Sequence, residues 1–304
     1  MFAVPENITT EIFARLPDNF RTLRPTAWSD ANRGGKPVDC FLEGPAFDRA
    51  GNLYVVDIPF GRVFRIGPDG IFHLVAEYEG EPNGLKIHRD GRIFIADYRN
   101  GIMLLDPARG AVSPLVERRW SERLKGPNDL FFAAGGDLYF TDQGQTGLHD
   151  PTGRVFRWRE GGRLEPLIGT VPSPNGLVMN ADETVLYVAV TRANAVWRLP
   201  LMPDGTVSKV GVFVQLSGGL GGPDGMALDA EGNLAVAHAG LGTVWVVSRL
   251  GEPLHRVRSC TGILTTNLAY GGADGRDLYI TESETGTILR ARMPLAGKTM
   301  FSHR

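Results

Sequence analysis

The sequence contains only two cysteines, Cys40 and Cys260, among 304 residues. A disulfide framework needs more cysteines, and such frameworks occur mainly in oxidising compartments. The low cysteine content therefore predicts a cytoplasmic protein. A single bridge between Cys40 and Cys260 stays open as an alternative.

Long apolar segments are also absent from the sequence. No stretch approaches the roughly 20 apolar residues that a membrane-spanning helix requires. The first fifteen residues contain Glu6 and Glu11 and no apolar run, so they do not have the pattern of a secretory signal. We therefore expect no membrane partner.

No excess of charge of one sign is present. The 32 basic and 34 acidic residues leave a net charge of −2, which provides no basic surface for nucleic acid. The sequence also lacks a Gly-x-Ser-x-Gly nucleophile motif, a His-Glu-x-x-His pair and a phosphate-binding loop. We therefore expect no nucleic-acid partner, and the oligomeric state stays open.

Glycine and proline, in contrast, are plentiful and spread along the chain, with 39 and 20 residues. Six segments share one pattern: a polar anchor residue, a short apolar stretch, a turn with glycine, and a strand of aliphatic and aromatic residues. Their anchors are Glu43, Asn83, Asn128, Asn175, Asp224 and Asn267. Successive anchors are 40, 45, 47, 49 and 43 residues apart, which is the length of a four-stranded propeller blade.

Each repeat also contains a second hairpin, such as the strand Arg62–Ile66 followed by Pro68-Asp-Gly70. We therefore predict an all-β fold, a six-bladed β-propeller with four-stranded blades and a metal at the central channel. One domain covers residues 1–304, with an N-terminal strand and an entrance loop in 1–40 and six blade repeats in 41–304. The segment Ile8–Arg15 is expected to complete the last blade. Residues 23–37 form either a loop over one face or an ordinary surface loop.

The anchor residues carry the candidate chemistry, because the innermost strand of each blade lines the channel. Buried carboxylates would protonate unless a cation stood nearby. A divalent ion would be neutralised by Glu43 and Asp224, and amide oxygens would fill its remaining positions. Oxygen ligands favour Ca²⁺, with Mg²⁺, Mn²⁺ and Zn²⁺ as alternatives, although zinc usually prefers nitrogen or sulfur. The competing interpretation is that Asn-Gly and Asp-Gly only form turns, which explains Glu43 least well.

Four fragments resemble one known family: Glu43-Gly-Pro45, Gly126-Pro-Asn-Asp129, Ser173-Pro-Asn-Gly-Leu177 and Gly222-Pro-Asp-Gly-Met226. Their order and spacing are similar to those of the senescence marker protein, gluconolactonase and regucalcin-like family, which includes squid diisopropylfluorophosphatase. The resemblance implies that Glu43, Asn175 and Asp224 bind a metal, and that Asn128 is a further ligand or a substrate contact. In regucalcin-like members an arginine at the position of Gly126 holds the sugar lactone. The contacts with the substrate must therefore differ in this chain.

The resemblance implies lactone hydrolysis as the activity. We predict a metal-dependent lactonase that opens a small lactone, a sugar lactone or a related one, to its hydroxy acid. Asp224 is the expected catalytic base, with hydroxide held by the metal as the rival nucleophile, and Asn128 would orient the substrate. A phosphotriesterase resembling diisopropylfluorophosphatase and a non-enzymatic scaffold with a structural metal are the alternatives.

Two further groups of side chains lie at the ends of predicted strands. His238 ends an inner-blade strand and is either a proton carrier or a satisfied core histidine, and the second interpretation is favoured. Four carboxylates end equivalent strands and are expected to cap the end of the channel away from the anchors: Asp57, Asp97, Asp142 and Glu282.

Overall fold

The computed structural model describes residues 3–304 as six four-stranded antiparallel sheets, one of which gains a fifth, parallel strand. The innermost strand of each sheet contacts the innermost strands of both neighbouring sheets, and the last contacts the first. This closure makes the fold a six-bladed β-propeller, as predicted. Within the described residues, no helix is long and apolar enough to cross a membrane.

Two short strands precede the blades, β1 (Glu6–Thr9) and β2 (Glu11–Arg15). The first blade consists of β3 (Leu42–Phe47), β4 (Leu53–Asp57), β5 (Arg62–Ile66) and β6 (Phe72–Glu77). The second consists of β7 (Pro82–Ile87), β8 (Ile93–Asp97), β9 (Gly101–Asp106) and β10 (Ala111–Val116). A small hairpin follows, with β11 (Arg118–Arg119) and β12 (Glu122–Arg123). The third blade consists of β13 (Pro127–Phe132), β14 (Leu138–Asp142), β15 (Gly153–Arg159) and β16 (Arg163–Val171).

The fourth blade consists of β17 (Pro174–Met179), β18 (Val185–Val190), β19 (Ala195–Pro200) and β20 (Gly211–Gln215). The fifth consists of β21 (Gly222–Leu228), β22 (Leu234–Ala239), β23 (Thr243–Val247) and β24 (Pro253–Arg258). The sixth contains β25 (Thr265–Gly271), β26 (Asp277–Glu282) and β27 (Thr287–Arg292), and β2 is its outer strand.

The second strand of each blade explains the aliphatic and aromatic runs in the sequence. In β4, β8 and β14 every residue is buried, because both faces of these strands pack against neighbouring blades. Outer strands such as β10 are partly exposed. Burial of the inner blade faces is the main source of stability, at about 25 cal/mol per Å² of apolar surface.

The N-terminal strands tie two blades together. The prediction for this segment is confirmed for β2, which pairs antiparallel with β27 and completes the sixth blade. In contrast, β1 pairs parallel with β24 and extends the fifth blade. Between them, the Thr10 amide and hydroxyl both donate to the Arg258 carbonyl. Both cysteines are free, with Cys40 buried and Cys260 exposed, so no bridge assists the closure.

The entrance segment contains a short helix, α1 (Ala27–Arg33), rather than an irregular loop. Its first turn is capped reciprocally by Thr26 and Ser29, and Gly34 ends it in the left-handed conformation with φ 61°. The ring of Trp28 packs against Phe41 at 4.6 Å between centroids. This packing holds the helix against the first blade.

The last residues, Met293–Arg304, leave the sixth blade and cross the channel end where the inner strands finish. Phe301 stacks on Phe132 with centroids 5.1 Å apart, and the Ser302 hydroxyl donates to the Phe47 carbonyl. We call this side the capped end of the channel, and the side where the inner strands begin the anchor end.

Candidate active site

A cavity of about 440 Å³ opens at the anchor end of the channel. This volume lies in the range of small-molecule sites. Five of the six predicted anchors line it, and they come from five different blades: Glu43, Asn83, Asn128, Asn175 and Asp224. The structure therefore brings together all four residues predicted to hold a metal.

A β-bulge follows the start of every inner strand and helps to place these side chains. The pairing of β3 with β4, for example, shifts register between Glu43 and Ala46, and that of β21 with β22 shifts between Pro223 and Met226. Bulges re-aim side chains and are common beside active sites. Here the shift falls at the anchor in each blade.

The sixth anchor was assigned one residue too late in the sequence. Thr265 pairs with Glu282 as Leu42 pairs with Asp57, so the position equivalent to Glu43 is Thr266. The error arose because β25 and β26 each have one residue more than β13 and β14. Asn267 belongs instead to a second layer, formed by the residues that directly follow the anchors.

That second layer is built mainly from glycines. In four blades a glycine follows the anchor, and a Cβ at Gly225 would come within 3.0 Å of the Asn267 side chain. A Cβ at Gly84 would similarly meet the side chain of Asp129. Close packing at the axis thus explains the glycine in each Asn-Gly and Asp-Gly pair. Glycines leave room for the larger side chains of Asp129 and Asn267.

Asp129 is a third axial carboxylate that sequence reasoning did not assign to the site. It is buried, and the Asn267 amide donates to Asp129 Oδ2 at 3.2 Å and to Glu43 Oε2 at 2.9 Å. Lys86 Nζ lies 3.7 Å from Asp129 Oδ1. The signal in the sequence was Asn128-Asp129, where three other blades have Asn-Gly or Asp-Gly.

The buried carboxylates disfavour one another's ionisation. Burial, followed by the charge of Asp129, raises the pKa of Glu43 to about 7, although the Gly44 amide donates to it. Burial and the charges of Glu43 and Asp129 raise the pKa of Asp224 well above its usual value, and Asn175 and Arg192 oppose this shift. A divalent cation at this place would relieve the repulsion.

The two amides offer oxygen atoms to such a cation. Asn175 Oδ1 is buried and has no hydrogen-bond partner among the described residues, which is unusual in a folded protein. The Asn128 side-chain amide donates to Gln143 Oε1 at 3.0 Å, so its Oδ1 is the free end. Gln143 in turn donates to the Ser173 hydroxyl at 2.8 Å.

No group of three His, Cys, Asp or Glu side chains in residues 3–304 is arranged to hold a metal by itself. A metal at the anchor end would therefore need the amide oxygens of Asn128 and Asn175 beside the two carboxylates. Such an all-oxygen set suits a hard cation such as Ca²⁺, and the unpartnered oxygen of Asn175 fits this interpretation.

Tyr98 is a cavity residue that the sequence pattern did not reveal. A Cβ at Gly126 would lie 2.7 Å from the Tyr98 ring, so glycine at this position makes room for the tyrosine. The Tyr98 hydroxyl accepts from Gln145 Nε2 at 3.0 Å, and burial raises the pKa of the phenol to about 12. The tyrosine thus occupies the space beside Gly126, where a longer side chain would otherwise lie.

His238 is a satisfied core histidine. It is fully buried, Trp245 Nε1 lies 3.3 Å from Nδ1, and Nε2 lies 3.1 Å from the Gly218 carbonyl oxygen. Burial lowers its pKa, which favours the neutral ring with the proton on Nε2. The favoured interpretation of His238 is therefore confirmed.

The strand-ending carboxylates lie at the anchor end, so their expected position was wrong. The first two strands of each blade are antiparallel, and Asp57 therefore pairs with Leu42, beside Glu43. Their expected role as hydrogen-bond acceptors is confirmed. Asp57 accepts from the Phe41 amide and Asp142 from the Gly126 amide, both at 2.8 Å.

The chain is thus a β-propeller with a polar cavity on its axis, and the cavity is large enough for a small molecule. The sequence pattern of the SMP-30/Gluconolactonase/LRE-like region matches residues 41–284, and the chain belongs to this family.

Curated relatives include the lactonase drp35 of Staphylococcus aureus strain USA300, 30% identical over 248 residues, covering 78% of this chain and 74% of the relative. The drp35 lactonase of Staphylococcus saprophyticus is 29% identical over 245 residues, with the same coverage of both chains. Among solved structures, a calcium-binding regucalcin from Agrobacterium tumefaciens has a TM-score of 0.79 at 21% identity, covering 99% of this chain and all of that one. A gluconolactonase from Xanthomonas campestris has a TM-score of 0.74 at 24% identity, covering 93% and 99%.

Proposed function

We propose that this chain is a metal-dependent hydrolase that opens a small lactone to its hydroxy acid. The names of its relatives, lactonase and gluconolactonase, support lactone hydrolysis in general. The observation that carries the metal dependence is the meeting of Glu43 and Asp224 with the unpartnered Asn175 Oδ1 in one small cavity. A cytoplasmic location belongs to the same proposal and depends on the low cysteine content.

Glu43, Asn128, Asn175 and Asp224 would hold the cation. Ca²⁺ is the first candidate because all four ligands are oxygens, with Mg²⁺, Mn²⁺ and Zn²⁺ as alternatives. The calcium-binding regucalcin that shares the fold supports this choice. When bound, the ion supplies Lewis-acid stabilisation of the negative charge that develops on the lactone carbonyl oxygen.

Asp224 accepts the proton of the attacking water in this proposal. Glu43 is less available, since its Oε2 already accepts from the Gly44 amide and from Asn267. The water oxygen bonds to the carbonyl carbon, the acyl carbon–oxygen bond of the ring breaks, and the ring oxygen leaves as a hydroxyl after protonation. Asn128, held by Gln143, orients the substrate.

One assay panel tests the function. Aldonolactones, aliphatic and aromatic lactones, and a fluorophosphate would be assayed with and without a chelator. We expect chelator-sensitive opening of lactones, with activity restored by Ca²⁺. Hydrolysis of the fluorophosphate alone would instead indicate a phosphotriesterase, and no hydrolysis of any substrate would favour a scaffold.

The variant Asp224→Asn tests the base. It should lose at least about 100-fold in kcat even at metal concentrations that saturate the site, because an amide cannot accept the proton. Asn128→Ala should mainly raise KM. Near-native kcat in metal-saturated Asp224→Asn would show that the aspartate is only a ligand.

A further inference from the structure

Two arginines line the same cavity without a direct ion pair: Arg33 is half-buried, and Arg192 is exposed and acts on Asp224 only at longer range. Arg33 is the last residue of α1, and Arg192 lies in the 3-10 turn Thr191–Ala193 that follows β18. Among residues 3–304, neither guanidinium forms an ion pair within 4.0 Å. Unpaired guanidinium groups in a small-molecule cavity are candidate binding groups for an anion.

One loop connects the neighbourhoods of these two arginines. In the segment between β14 and β15, Gln145 Nε2 lies 3.5 Å from Oδ1 of Asn32, the residue before Arg33. Two residues further along, a Cβ at Gly147 would lie 3.6 Å from Arg192 Cγ. Arg192 and Asn32, the neighbour of Arg33, therefore both lie against this loop.

The sixth blade contributes a different chemistry. Glu284 lies there, and the Ile263 amide donates to its Oε2 at 3.4 Å. Ile263 and Leu264 are aliphatic lining residues beside it. To this lining the sixth blade thus contributes one carboxylate and two aliphatic side chains, whereas the arginines come from other elements.

The charge of the cavity also favours an anionic ligand. Its charged lining residues are two arginines and three carboxylates, Glu43, Asp224 and Glu284, which together carry a net charge of −1 when all five are ionised. A divalent cation would change this net charge to +1. The charge of Asp129 beneath the anchors is offset by Lys86, whose Nζ lies 3.7 Å away. One further negative charge on the substrate would then neutralise the cavity, whereas a neutral lactone would leave a positive charge uncompensated.

We propose that the substrate is a lactone bearing a second, ionised carboxylate, the cyclic ester of a hydroxy dicarboxylic acid, and that Arg192 and Arg33 bind this carboxylate. The inference rests on the proposed lactonase function. Opening such a ring consumes one water, breaks the acyl carbon–oxygen bond and yields a hydroxy dicarboxylate and one proton. The carboxylate held by the arginines takes no part in bond breaking, so the arginines determine specificity.

A matched pair of substrates tests the proposal: γ-butyrolactone γ-carboxylate and its neutral primary amide. We expect the native enzyme to prefer the carboxylate by about tenfold or more in kcat/KM. Arg192→Gln should remove this preference mainly through KM, Arg33→Gln should reduce it, and Arg192→Lys should retain part of it. Arg198→Gln is the control, since it removes the same charge from an exposed position of the same blade.

A binding experiment tests the arginines independently of catalysis. In calorimetry on the calcium-loaded protein, α-hydroxyglutarate should bind about tenfold more tightly than γ-hydroxybutyrate, and Arg192→Gln should abolish the difference. Equal kcat/KM for the two lactones, unchanged by Arg192→Gln, would overturn this inference and leave the lactonase intact. If no lactone is opened, the proposed function fails, and the binding difference alone then supports or overturns the anion site.

Discussion

The two ends of the channel differ although the same six strands form both. At the anchor end, the strands begin with carboxylates and amides around a cavity of about 440 Å³. At the capped end, they finish with apolar side chains around a smaller cavity of about 110 Å³, lined by residues such as Phe131, Val178 and Leu268 and covered by Phe301. Each inner strand thus supplies candidate chemistry at its start and hydrophobic packing at its end.

The largest expected effect is at the anchor end. Glu43→Gln keeps the shape of the side chain but removes one negative charge, so we expect Ca²⁺ affinity to fall at least about 100-fold in titration calorimetry. Glu183→Gln is the matched control, because Glu183 lines the cavity at the capped end. Equal Ca²⁺ affinity in both variants and the native protein would mean that the metal site is wrongly placed.

The capped end should respond in stability instead. Phe301 is 8% exposed and packs on Phe132, so Phe301→Ala should lower the free energy of unfolding by about 3 kcal/mol. Ca²⁺ affinity should stay unchanged. Leu220→Ala, at a residue that is 85% exposed on the anchor side, should change stability by less than about 0.5 kcal/mol. A similar loss in both variants would contradict the division of roles.

A layer of glycines lies between the two ends of the channel, and a methyl group added there should destabilise the protein. Gly225→Ala places a Cβ against the Asn267 side chain, and we expect a loss of about 2 kcal/mol in denaturant unfolding. Gly211→Ala is the control on an outer strand, where a Cβ meets nothing within 4 Å. Native stability of Gly225→Ala would show that the axial packing is loose.

Lys86 and Asp129 lie between the two ends of the channel. Substitutions that remove their charges should have opposite effects on Ca²⁺ affinity. Lys86 lines the cavity at the capped end, and its Nζ lies 3.7 Å from Asp129 Oδ1 beneath the anchors. Asp129→Asn removes a negative charge near the proposed ion and should weaken binding about tenfold, whereas Lys86→Met should tighten it by a similar factor. The double variant should lie near the native affinity. Changes of the same sign in both single variants would contradict a charge effect.

The contrast between the ends also explains how far the sequence could predict the site. The five anchors that line the cavity were predicted because they occupy the same place in repeated segments, and a repeat is visible in the order of residues alone. The family resemblance then singled out Glu43, Asn128, Asn175 and Asp224 among them. Tyr98, by contrast, lies in a connection between strands, where no repeat marks it. Its position became clear only through its packing against Gly126.

Antiparallel pairing was the physical reason for one wrong placement. The strand end at Asp57 lies fourteen residues after Glu43 in the sequence, which suggested the opposite end of the channel. The hairpin returns the chain to its starting point, so Asp57 lies beside Leu42. A separation along the chain therefore says little about position along the axis.

The sequence by itself determined the six blades, the four strands of most of them and the polar start of five of the six inner strands, because turns and repeats are local properties. Only the tertiary structure decided which side chains meet at the axis. Asn267 donates to Glu43 from 224 residues away, and this contact exists only when the ring closes. The same closure brings Arg33 and Arg192 to one cavity and sets Lys86 beneath Asp129, since such contacts depend on the assembly of blades rather than on any local pattern.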